Sequence, residues 1–119
     1  MDEPVEKEVS DKERWVREAE AVIADIIHHV HSVEISTELP NTNRTIYLNL
    51  KTLEKKEYCI EMSYAGFQVV GEKFDDRSLS SDEYCETPYS LLSSLSVNYD
   101  KSFAGELMEK LNKLNNANK

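Results

Sequence analysis

The chain has 119 residues, 39% of them hydrophobic and 31% charged, with a formal net charge of −9. That length leaves room for one domain around a single core. The acidic balance, with no basic cluster to offset it, argues against nucleic acid or an anionic membrane as partner, and no apolar run approaches the roughly 20 residues of a membrane-spanning helix.

The first residues, Met1-Asp2-Glu3-Pro4-Val5-Glu6, are acidic and lack the apolar centre of a secretory signal. Residues 1–10 are expected to form a disordered acidic lead-in. From about Asp11 to Ser32 the spacing predicts a helix. Trp15, Ala19, Val22, Ile23, Ile26, Ile27, Val30 and Val33 recur at intervals of 3 and 4, and Asp11, Arg14, Glu18, Glu20 and Asp25 take the wet side.

Alternation at period 2 follows. Val33, Ile35 and Thr37 alternate before Pro40 and Asn41 break the run. Ile46, Leu48 and Leu50 alternate with Tyr47, Asn49 and Lys51. Tyr58, Ile60 and Met62 alternate with Cys59 and Glu61, and Phe67 and Val69 with Gln68 and Val70. Each run reads as a strand with one apolar face. The short connections at Leu53 to Lys56 and at Tyr64-Ala65-Gly66 imply an antiparallel meander.

A polar loop is expected over residues 74–87. Thr87-Pro88 then reads as an N-cap with proline at the first helical position. A short helix from Tyr89 to about Leu95 carries Leu91, Leu92 and Leu95, and Ser96 or Asn98 can cap a final helix. There Phe103, Leu107, Leu111 and Leu114, spaced 4, 4 and 3, make a narrow apolar stripe opposite Glu106, Glu109, Lys110, Asn112 and Lys113. The elements assemble as an α+β fold: an N-terminal helix, a four-stranded antiparallel meander sheet, then two C-terminal helices packed on the sheet. The domain spans residues 11–114, and residues 115–119 are expected to fray.

Catalytic chemistry finds little to work with. His28 and His31 stand one turn apart, but no cysteine or carboxylate is placed to complete a tetrahedral metal site, so His28, His29 and His31 read as solvated or boundary side chains. Cys59 lies mid-strand, on the face away from the helices. Cys85 lies among carboxylates that raise a thiol pKa. With no export signal, both read as reduced thiols of an intracellular protein. Three glycines form no phosphate-cradling loop, and no nucleophile elbow is present. The reading is therefore a non-enzyme with no catalytic residue, no metal and no cofactor. Ser78, Ser80 and Ser81 precede Asp82 and Glu83, a context that suits an acidophilic kinase.

Two apolar stripes remain. The first has an obvious place, covering one face of a sheet that needs a cover. The second can be core, or can enter another protein's groove.

Three stretches then carry a resemblance: Glu18 to Ile27 (EAEAVIADII), Tyr58 to Asp75 (YCIEMSYAGFQVVGEKFD), and Tyr89 to Ser96 (YSLLSSLS) followed by Tyr99 and Phe103 and on to Leu111. In order and spacing, over roughly residues 14–114, they resemble the glycogen synthase kinase-3 beta interaction protein family, whose GSKIP domain also occurs in clustered-mitochondria proteins. The resemblance implies a non-enzymatic adaptor that binds glycogen synthase kinase-3 through its C-terminal helix and restrains or redirects it. A Wnt-signalling role and a cytoplasmic location, extending to the nucleus, go with it. Phe103 to Leu111 also resembles the kinase-binding helix of axin. The contacts carried over are Phe103, Leu107 and Leu111, flanked by Met108 and Leu114, with the family's key leucine at Leu107. The family's first helix also anchors the type II regulatory subunit of protein kinase A. Val22, Ile23, Ile26, Ile27 and Val30 match that pattern, whereas His28, His29 and His31 stand where better-known members have apolar or amide residues. A structural module without kinase affinity is the remaining alternative.

Overall fold

The computed structural model describes residues 10–79 and 83–117, with the backbone alone at Asp100, Phe103, Glu106 and residues 113–117. The acidic lead-in, Ser10 apart, therefore lies outside the described residues, as do Ser80, Ser81 and Asp82 of the loop.

Helix α1 (Asp11–Ile26) opens on a capping box. Glu13 N donates to Ser10 Oγ at 3.1 Å, and Ser10 N donates to the Glu13 carboxylate at 3.2 Å. The helix ends sooner than Ser32. The chain tightens into a 3-10 turn, Ile27–His29, and Val30 is already extended. The reason is the sheet: His31 N donates to Lys51 O at 2.9 Å, so a ladder bond replaces a helical one, and β-branched Val30 and Val33 suit extended backbone. Both valines are still buried, as the periodicity required, but by a strand entry instead of a helix face.

The sheet runs β1 (Ser32–Ile35), β2 (Thr45–Lys51), β3 (Glu57–Ser63) and β4 (Gly66–Gly71), antiparallel and in that order. Register places Ile46 opposite Met62 and Leu48 opposite Ile60. Met62 in turn faces Phe67, and Ile60 faces Val69. These side chains join Trp15, Ala19, Ile26, Leu91 and Leu92 in one core, so α1 and the short helix α2 (Pro88–Leu95) cover the same sheet face. At the β3–β4 turn Gly66 has φ +121°, and a Cβ there would lie 2.4 Å from the carbonyl oxygen of Cys85. Only glycine fits.

Alternation predicts one apolar face per strand, yet both faces are in use. Tyr47, Cys59 and Val70 form a second small core with Leu39. The segment after β4 folds over this side. Asp75 accepts from Asn49 Nδ2 at 2.8 Å and from Ser36 Oγ, and its own N–H donates to Asn49 Oδ1 at 2.9 Å. Arg77 lies 5.3 Å from the Tyr47 ring centroid and donates to its hydroxyl at 3.2 Å. Cys59 does lie away from the helices, but this cover buries it.

Thr87 Oγ1 accepts from Ser90 N at 3.1 Å and Pro88 takes the first turn of α2, as its sequence requires. Helix α3 (Val97–Ala117) follows after one residue. It meets α2 and the 3-10 turn, and its backbone runs on past Leu114 to Ala117.

Candidate functional site

Ser96 is both the end of α2 and the start of α3. Its N–H donates to Leu92 O at 2.8 Å, while its Oγ accepts from Tyr99 N at 3.0 Å. Of the two caps the sequence offered, Ser96 is the one used. The first turns of α3 are anchored further. Tyr99 is buried and meets the His29 ring edge-on, with centroids 5.6 Å apart and planes at 89°. His29 Nδ1 and Ser102 Oγ are 2.9 Å apart. His29 is therefore neither solvated nor at a boundary, since α3 closes over it; His28 and His31 stay exposed. Among the described residues no group of three potential ligands is placed to hold a metal ion.

A further anchor comes from the β2–β3 turn. Glu54 Oε2 accepts from Ser96 Oγ at 3.0 Å and from Asn98 N at 2.8 Å. The Asn98 N–H, followed by the Ser96 hydroxyl, holds the Glu54 carboxyl at about 2, far below its ordinary 4.5. The carboxylate also sits at the positive end of α3. Sequence reasoning missed Glu54, because nothing local marks an acid in one turn as the partner of a helix more than 40 residues on.

Beyond this base α3 offers apolar surface. Leu107, Met108 and Leu111 are 50%, 59% and 48% exposed, whereas Leu92 of α2 is fully buried. The side chains of Phe103 and Leu114 lie outside those described. At Gly105 an added Cβ would meet nothing within 4 Å, so the chain there faces open space. Leu107 and Leu111 are four apart and Met108 and Leu111 three apart, so the exposed side chains share one side of the helix. Fully burying such a side chain is worth about 1.5–3 kcal/mol. With roughly half of each still exposed, the three together hold about 2–4 kcal/mol in reserve.

The first helix is spent differently. Of the positions matched to kinase A anchoring, Ile26 and Val30 are buried, Val22 and Ile23 are half-buried against the core, and Ile27 is 38% exposed. A cavity of about 390 Å3 opens between the first turns of α1 and the β3–β4 turn, over Trp15, Met62 and Phe67 and beside Asp11, Glu18 and Glu86. Burial pushes the Cys59 thiol up to about 11. Cys85 is half-buried, and its backbone pairs with that of Phe67. Among the described residues no helix is long and apolar enough to cross a membrane.

Comparison with known proteins places these features in a family. The GSKIP domain family model matches residues 15–114. The chain is 41% identical over 99 residues to the GSK3-beta interaction protein of Danio rerio, covering 82% of this chain and 74% of that protein. It is 39% identical over 99 residues to the GSK3B-interacting protein of Homo sapiens, covering 82% and 70%. To the GSKIP homolog of Drosophila melanogaster it is 28% identical over 91 residues, covering 74% and 76%.

Proposed function

The chain belongs to the GSKIP domain family, and from that premise we propose that it is a non-enzymatic adaptor that binds glycogen synthase kinase-3 through α3. Relatives named for that interaction support the partner. One observation carries the site: Leu107, Met108 and Leu111 stand about half exposed on a helix whose base is tied down. An apolar stripe presented on a formed helix is what a hydrophobic groove takes. Leu107 is the central anchor, with Phe103 and Leu114 extending the stripe at either end. Occupying a groove that also takes axin's helix would restrain or redirect the kinase, the link to Wnt signalling, in the cytoplasm or the nucleus.

Calorimetry with purified kinase tests the reading. Leu107→Asp puts a charge where an apolar anchor enters the groove and is expected to weaken binding by about tenfold or more. Circular dichroism should show the same helix content, because Leu107 is outside the core. Wild-type affinity in a folded Leu107→Asp chain removes α3 as the binding element.

Anchoring of the kinase A type II regulatory subunit through Val22, Ile23, Ile26, Ile27 and Val30 stands second. All of these but Ile27 already contribute to the core, so that activity requires α1 to undock from the sheet.

A further inference from the structure

We propose that Glu54 is a positioning residue for partner binding: its carboxylate clamps the start of α3, so that Leu107, Met108 and Leu111 are held out at a fixed angle from the sheet. This rests on α3 being the kinase-binding helix.

The need for a clamp follows from the connection. Only Ser96 separates α2 from α3, and it is extended, with φ −141° and ψ 113°. A single extended residue fixes neither the angle nor the rotation of a 21-residue helix. The first turns of α3 meet the 3-10 turn through Tyr99 and Ser102, and the helix also meets α2. The reach of the helix beyond them magnifies any change of angle at the base. A 21-residue helix is about 30 Å long.

The β2–β3 turn is built to aim an acid at that base. Thr52 is fully buried, and its backbone N–H donates to Lys56 O at 2.9 Å. Lys55 N donates to Thr52 O at 2.8 Å, and Lys56 N donates to Thr52 Oγ1 at 3.2 Å. Lys55 sits at φ +68°, a conformation that residues other than glycine adopt only rarely. Such backbone persists only where its surroundings hold it. Here it lets the five residues Thr52 to Lys56 close while Glu54 points outward.

The bonding is complementary. A helix begins with backbone N–H groups that have no partner inside it. Ser96 Oγ takes the N–H of Tyr99, and Glu54 Oε2 takes that of Asn98. Glu54 also accepts from the Ser96 hydroxyl, which fixes the rotamer of the cap itself. On another side, Ser102 and Tyr99 engage His29. Contacts from two different elements define a direction where one would leave a pivot. Holding the helix in its binding pose before the partner arrives removes part of the ordering cost of association.

Full-length Glu54→Ala and Glu54→Gln chains test this with two readouts. The first is orientation: residual dipolar couplings of α3 amides should fit the same alignment as those of the sheet in the wild type. In Glu54→Ala they should be scaled down, with the sheet couplings unchanged. The second is calorimetric affinity for the kinase, expected to fall roughly three- to thirtyfold in Glu54→Ala, the range of losing a helix cap. The loss should lie mainly in the entropy of binding. Glu54→Gln keeps one acceptor oxygen and is expected to fall between the two, and it keeps the test open if the alanine variant fails to fold. Wild-type binding matched by both variants overturns the clamp while leaving α3 as the binding helix. A wild-type chain that does not bind the kinase removes the reading on which the clamp rests.

Discussion

Single side chains here take their character from neighbours far along the chain. Cys59 looks in sequence like any strand cysteine, yet Tyr47, Val70 and Leu39 close over it and burial pushes its thiol up to about 11. It should therefore be inert at neutral pH. A chromogenic disulfide reagent is expected to titrate at most one thiol, that of Cys85, in the folded chain and two after denaturation. Two rapid equivalents in the native state would show that the cover over Cys59 is open. Glu54 and His29 make the same point. One is a turn acid and the other a histidine beside an apolar stripe, until Ser96, Asn98, Tyr99 and Ser102 reach them. No local pattern encodes those pairings, so neither role was legible in the sequence.

Elements were more legible than residues, because periodicity and capping are local. The four strands, the Thr87-Pro88 start of α2 and the apolar stripe on α3 all follow from spacing. The end of α1 does not, since a ladder bond from His31 to Lys51 decides it. The second sheet face is not legible in the sequence either. Tyr47 and Asn49 alternate with leucine and isoleucine as solvent-facing residues would, and only Asp75 and Arg77 show them to be covered. The stripe on α3 was readable, but its exposure was not, since identical leucines on α2 are buried. That contrast is measurable. Leu92→Ala is expected to cost about 2–5 kcal/mol of stability, as for a filled core position. Leu111→Ala should stay within about 0.5 kcal/mol, as for a surface position. Equal losses in denaturant titrations would place α3 in the core.

For the whole molecule, the decisive fact is a division of labour. Helices α1 and α2, joined by Tyr99 from the first turn of α3, cover one sheet face, and the segment after β4 covers part of the other. That leaves α3 tied at its first turns, with Leu107, Met108 and Leu111 about half exposed beyond them. An acidic chain of this size gains nothing for its own stability from that surface. The role proposed for that surface is to bind a kinase. Amide hydrogen exchange of the full chain, with and without saturating glycogen synthase kinase-3, tests it most directly. Exchange is expected to slow over residues 104–111 of α3 and to stay unchanged over α1. Slowing confined to α1, or none over residues 104–111 in a complex shown by calorimetry to have formed, would rule out α3 as the kinase contact.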